Sequence, residues 1–351
     1  MSAAALPTPG PSTPGSTTPP ATAPLGALYT PQRHPLPYHL INAFATSAHS
    51  SGNQAAVVVL SPSASSAAYT DAWHVHVAAD FGFAETAFVV PLDLAADEPV
   101  YEIRFFTPTV EVPMCGHATL AAGHALLSYI HATARAVHFR TRVRGSLAAS
   151  IVEGSRRGAG ARIALDFPLT VPQAPPDDTI ASKIAALVAA AAGVPAHDVI
   201  QVAAADFGTG TGVIVEVKPE VDLRSLRVDT KPLSRRETQL TMITQLAGAS
   251  PTTPNAIRIN TRVFAPHIGI DEDPVTGAAH TALVPYYLDG PATERVRALL
   301  PAGADPRAAI VDAHQLSARG GAIEGSIVNG RAKLVGRAWR WGKGELTEED
   351  E

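Results

Sequence analysis

Residues Phe264–His280, FAPHIGIDEDPVTGAAH, carry the strongest signal in the chain. Asp271, Glu272 and Asp273 precede a proline, a Thr-Gly turn follows, and small residues then suit the opening of a helix. An acid beside the unpaired amides of a helix N-terminus suits both proton transfer and anion binding. A similar layout occurs earlier, in Phe106–His124, FTPTVEVPMCGHATLAAGH. Aligning Phe106 with Phe264 also aligns Pro108 with Pro266 and sets Cys115 opposite Asp273. Both segments run into a small-residue helix. The pair predicts a two-lobed protein with its site between the lobes.

The length of 351 residues fits roughly two domains of about 150 residues each. At 46% hydrophobic and 17% charged residues, the chain has the means to build substantial cores. The net charge is −5, with no long basic run, which argues against nucleic acid or an anionic membrane as a partner. The single cysteine, Cys115, rules out an intrachain disulfide and a Cys-rich metal site. No apolar run approaches the ~20 residues that span a bilayer. The first basic residue is Arg33, so no signal or transit peptide is expected. A cytoplasmic protein is the expectation.

Residues 1–33 are almost wholly Ala, Pro, Ser, Thr and Gly, too few apolar groups to offset ordering entropy, and read as a disordered tail. Tyr38–Phe44 and Ala55–Leu60 read as strands joined by a turn at Ser51-Gly52-Asn53. A helix over Ser66–Phe81 precedes strands at Glu85–Val90 and Tyr101–Phe106. Ala118–His131 is apolar or small on nearly every face, which predicts a helix buried all round, with strands wrapped about it. Ala136–Val152 and Arg162–Phe167 add strands before a Pro-rich boundary. In the second half we expect a helix at Ile180–Ala192, a strand at Val199–Ala205, a Gly-rich turn at Phe207–Gly212 and the strand VIVEV. A further helix is expected around Ser234–Leu246. The helix over Thr276–Leu288 should mirror the first buried helix, with Pro285 ending or kinking it. Val311–Trp341 reads as closing strands around an Asn-Gly hairpin turn, and TEEDE as a solvated acidic tail.

Among polar candidates, the GTGTG run lacks dinucleotide-loop spacing and is better read as a turn. His74 and His76 flank Val75 on different helix faces. His117 and His124 share a face, but no carboxylate or Cys completes a ligand set at zinc spacing. Cys115 has two readings. A thiol at a helix N-terminus, beside His117 as base, has a lowered pKa and suits a nucleophile; free cysteines are also commonly packed and inert. Glu85 is an acid flanked by apolar residues at a strand start, either a half-exposed charge or a working group. The acids at 271–273 either cap a helix or act in a site.

Taken in order, GNQAAVVVL, FAETAFVV, FFTPTVEVPMCGHATLAAGHAL and FAPHIGIDEDPVTGAAHTAL resemble the phenazine-biosynthesis (PhzF-like) family of the diaminopimelate-epimerase-like superfamily. The likeness covers roughly Tyr38–Leu346. It implies an α+β fold of two similar domains, 37–170 and 171–346, each a curved mixed sheet wrapped around a central buried helix. The last strand tends to return to the first domain.

The resemblance further implies a cofactor-independent isomerase acting on a small carboxylate-bearing substrate, without metal, and a homodimer. Carried over residue by residue, Glu85 looks like the acid/base, with His117 and Asp273 as its polar companions. The amides around Gly116–His117 and Gly277–Ala278 look like the cradle for a substrate carboxylate. Many family members have Ser where this chain has Ala278. The superfamily's amino-acid epimerases oppose two cysteines, where this chain sets Cys115 against Asp273. Two alternatives stand beside the isomerase: a non-catalytic binding protein on the same scaffold, and a Cys115/Asp273 epimerase of an amino or hydroxy acid.

Overall fold

A helix without a polar side has to be covered on every face, and the chain does this by closing a sheet around it. The computed structural model describes residues 35–61, 69–175, 177–236 and 238–347. The tail at 1–33, the start of the Ser66–Phe81 helix and the last acidic residues lie outside them. The first half supplies strands β1 (Leu36–Ala43), β2 (Asn53–Val59), β3 (Glu85–Asp93), β4 (Val100–Phe106), the short β5 (Glu111–Val112), β6 (Ala136–Arg140), β7 (Ser146–Ile151) and β8 (Ala161–Pro168). Its helices are α1 (Asp71–Phe81), capped by the Thr70 hydroxyl, and α2 (Gly116–Ala125).

The second half contributes β9 (Val199–Asp206), β10 (Thr211–Val217), β11 (Thr238–Ala249), β12 (Ala256–Ala265), β13 (Ile270–Asp273), β14 (Ile310–Gln315), β15 (Gly321–Val328) and β16 (Arg331–Leu346). With them come α3 (Asp178–Ala192), α4 (Gly277–Leu288) and the single turn α5 (Thr293–Arg297). In the first half the order β1-β2-β3-β4-β6-β7-β8-β16 closes on itself, because β16 pairs with both β8 and β1. Only β2–β3 and β4–β6 are parallel in this ring. Parallel neighbours need a crossover, and α2 is the crossover between β4 and β6, threaded through the barrel. Every residue of α2 is buried.

The second half repeats the unit. Strands β12 and β14 are parallel, and α4 crosses between them under the sheet β16-β15-β14-β12-β11-β10-β9. One apolar core runs through both halves, including Leu120 of α2 and Leu283 of α4. The Asn329-Gly330 turn has both residues at positive φ, as a two-residue hairpin of this kind requires.

Four expectations are corrected. Ser234–Leu246 is not a helix: Thr238–Ala249 is strand β11, parallel to β10 and antiparallel to β12. A central strand buried on both faces loses the alternation that marks strands, and the β-branched Thr238, Thr241, Ile243 and Thr244 were the surviving signal. Pro285 does not end its helix, which runs to Leu288. Proline at that position frees the carbonyl of Thr281, and the amide of Thr170 donates to that oxygen at 3.1 Å. The first buried helix changes to a π turn over Leu126–Ile130, where Ile130 reaches solvent. Finally, the two loops differ by three residues: α2 and α4 start at Gly116 and Gly277, so Thr276, not Asp273, occupies the place of Cys115. The turn Pro266–Ile268 and β13 take up the extra length.

Candidate active site

The N-termini of α2 and α4 meet head to head. A Cβ on Gly116 would come within 2.9 Å of the Gly277 Cα, and one on Gly277 within 3.1 Å of the Gly116 Cα. Glycine at both positions is what allows the approach. Neither flanking side chain, Cys115 or Thr276, caps its own helix. Unpaired first-turn amides and the positive ends of two helix dipoles therefore converge on one place. A cavity of about 500 Å³ opens there, lined from both halves by residues that include Glu85, Cys115, Gly116, His117, Asp273, Gly277 and Ala278.

Two of these side chains, Glu85 and Asp273, are carboxylic acids. Glu85, at the first position of β3, places Oε2 out of solvent with no hydrogen-bond partner; His117 Nε2 stands 3.4 Å from it. Burial, then the charge of Asp273, pushes the Glu85 carboxyl up to about 8, against a hydrogen bond from the Cys115 thiol. Asp273 ends β13 and accepts from Asn53 Nδ2 at 2.7 Å and Thr276 Oγ1 at 2.5 Å. Burial raises it to about 6, with those two hydrogen bonds opposing. His117 is held neutral, its pKa lowered to about 3 by burial.

Of the two readings of Cys115, the low-pKa thiol is not found. Burial first, then Glu85, pushes the Cys115 thiol well above its ordinary value, although the amides of Ala118 and His117 pull the other way. The helix N-terminus is present as the sequence implied; tertiary burial outweighs it. Near neutral pH the floor thus holds a protonated Glu85, a largely ionised Asp273, a neutral imidazole and a thiol.

Sequence spacing offered His117 no further metal ligand. The structure brings Glu85 and Cys115 to it, with donor atoms within 4.8 Å of one another. Glu85 arrives from a different strand, which spacing along the chain does not reveal. His124 is elsewhere, packed edge-on against Tyr129. His74 is buried and His76 exposed, on different faces as expected.

Three further residues shape the site. Asn53 Nδ2 lies 3.1 Å from His117 Nδ1 while donating to Asp273, so one amide ties together groups from the two halves. Gln315, on β14, donates to the Asp273 carbonyl at 2.6 Å and accepts from the Thr276 amide at 2.9 Å. Thr276 completes this mesh. Asn53 sits within GNQAAVVVL, where its sequence context spoke only of a turn; Gln315 carried no local signal.

Comparison with known proteins agrees with this architecture. A Pseudomonas aeruginosa protein described as an uncharacterized isomerase is 31% identical over 310 residues, covering 86% of this chain and 95% of its own. The mouse phenazine biosynthesis-like domain-containing protein 1 is 32% identical over 323 residues, covering 89% and 99%. A solved PhzF-family protein of Enterococcus faecalis superposes with a TM-score of 0.67 at 26% identity, over 90% of this chain and all of that one. A Clostridium difficile PhzC/PhzF structure shares the fold, with a TM-score of 0.64 at 24% identity. The fold is diaminopimelate-epimerase-like. Among the described residues no helix is long and apolar enough to cross a membrane. The phenazine biosynthesis-like family matches residues 41–327, and the chain belongs to that family.

Proposed function

We propose that the protein is an isomerase that relocates a proton on a small carboxylate-bearing carbon acid by general acid/base catalysis, with neither organic cofactor nor metal taking part. The observation that carries this reading is Glu85: a carboxyl with one buried, unpartnered oxygen, held up to about 8, where two helix N-termini meet. A base that binds its proton this firmly is matched to carbon acids far better than an ordinary carboxylate.

In the ionised state Glu85 takes the C–H proton. The electron pair moves into the substrate carboxylate, whose growing charge faces the amides of Gly116, His117, Gly277 and Ala278. Glu85 then returns the proton at a second carbon. Asp273, fixed by Asn53 and Thr276, keeps the proton affinity of Glu85 high. Neutral His117, with Nε2 3.4 Å from Glu85 Oε2, is placed to donate to that oxygen when the carboxyl ionises. At Ala278 the cradle is backbone alone.

The raised Cys115 thiol weighs against a Cys115/Asp273 epimerase, which needs a thiolate. A binding protein has no use for the cluster of raised acids. Isotope exchange separates the three. A panel of small unsaturated, hydroxy and amino acids is incubated in D₂O and read by NMR. Single-carboxylate transfer in a closed cleft retains part of the original hydrogen, so the product carries less than full deuterium. Full deuteration with inversion at one carbon would establish the epimerase instead, and no exchange with any acid would leave a binding protein.

A further inference from the structure

The cavity is larger than a minimal carbon acid requires. At about 500 Å³ it falls within the roughly 300–1,000 Å³ of pockets that hold drug-sized ligands. Above its floor of acids and helix amides, the walls are apolar, with Val110, Val112, Met114, Leu240 and Ile268 among them. Two arginines also line it, the partly buried Arg144 from the β6–β7 turn and the exposed Arg236 just before β11.

The described arginines divide between those that pair with a carboxylate and those that do not. Arg104, Arg162, Arg258, Arg262, Arg295 and Arg331 each pair with a carboxylate. Among the described residues Arg144 and Arg236 have no carboxylate in ion-pairing range. Arg144 is also held in place. It donates to the Phe207 carbonyl of the other half at 2.6 Å and lies over Gly208, where a Cβ would meet its Nη1 at 2.7 Å. The one acid in that turn, Asp206, accepts instead from the Gly208 amide at 2.6 Å. A guanidinium stays charged at any working pH and matches the geometry of planar anions. The cavity lining therefore offers an anion two sets of donors, the helix amides and the two guanidinium groups, together with apolar side chains.

We infer that the substrate is a dianion: one carboxylate between the helix N-termini, an apolar or unsaturated spacer, and a second acidic group held by Arg144 and Arg236. This rests on the proposed acid/base reading for the first carboxylate and adds the second. A carboxylate and a phosphate or sulfate ester would both satisfy the arginine pair.

Calorimetry on the full chain tests the charge apart from the size. The probes are trans-cinnamate, trans-4-carboxycinnamate and trans-4-carbamoylcinnamate, the last a neutral match in shape at the distal end. At low ionic strength the dicarboxylate is expected to bind about tenfold more tightly than the amide, with the margin shrinking as salt is added. Arg236→Gln, on an exposed side chain, should remove about threefold of it, and Arg144→Gln with Arg236→Gln nearly all. Amide binding should stay within about twofold in both variants, because the deep end is unchanged. A 4-phosphonocinnamate arm tells which acidic group is preferred. Equal binding of dicarboxylate and amide to the wild type overturns the inference alone, as does a preference that survives the double substitution. Absence of binding by every probe overturns both the inference and the carboxylate cradle beneath it.

Discussion

Two buried carboxylates in this molecule have opposite surroundings. Glu216, on β10, is fully buried and accepts from the Tyr286 hydroxyl at 2.6 Å and from Arg295. Glu85, on β3, faces another acid and a thiol, and its Oε2 has no partner. Both were placed in the interior by strands that are apolar around them. The first is matched by a cation and a phenol and therefore ties α4 and α5 to the sheet. The second is left short of partners, and its proton is correspondingly difficult to remove. A satisfied buried acid fixes structure; an unsatisfied one stores reactivity.

The sharpest way to break the contrast is to neutralise Glu85. Glu85→Gln should lower kcat by about 10²–10⁴-fold, whereas Cys115→Ala keeps most of it; steady-state kinetics that found the reverse would move the chemistry to the thiol. At the other carboxylate the loss should appear in stability. Arg295→Met leaves Glu216 buried without its cation and should cost about 3 kcal/mol in denaturant unfolding. Pairing it with Glu216→Gln should recover most of that, and turnover per folded molecule should hold throughout. No change in the single variant would show the ion pair to be idle.

A smaller effect lies in pH. In the folded state Glu85 is raised from 4.5 to about 8, so it favours its protonated form more than the unfolded chain does. The stability this contributes is complete below the unfolded value and is lost as pH rises through about 8. Asp273, raised from 3.8 to about 6, acts in the same direction over a lower range. Melting temperatures of wild type and Glu85→Gln should therefore converge near about pH 5 and separate by a few degrees near about pH 9, with the variant higher. A wild type that gains on the variant with rising pH would contradict the assignment. The smallest expected effect is that of a chelator: extensive dialysis against EDTA should leave melting and turnover unchanged, and zinc retained at one per chain would make the Glu85–Cys115–His117 cluster a metal site.

Much of this arrangement was legible in the chain, for identifiable reasons. Glu85, His117 and Asp273 stood in segments whose glycine, proline and acid pattern is unusual enough to read locally. Asn53 and Gln315 were not legible, because each works through partners more than a hundred residues away or on a different strand. The chain leaves two readings of the Cys115 thiol open because a helix N-terminus is a local property and burial beside Glu85 is not. Strand β11 reads as a helix because its two faces pack into two different cores, Met242 into one and Ile243 into the other, and the polar alternation is lost. At Pro285 the carbonyl freed by the proline takes a partner from elsewhere, the Thr170 amide in the segment after β8.

The closing strand has a consequence for synthesis. The ring that encloses α2 is completed by β16, residues Arg331–Leu346, the last of the described strands in chain order. Until it emerges, β1 and β8 are open edges, and α2 lies in a trough where it will later have a tube. Unpaired edges of this kind invite pairing with other chains. Translation that stops before β16 therefore releases a product whose first half, with every other strand of its ring already made, has no means of sealing itself.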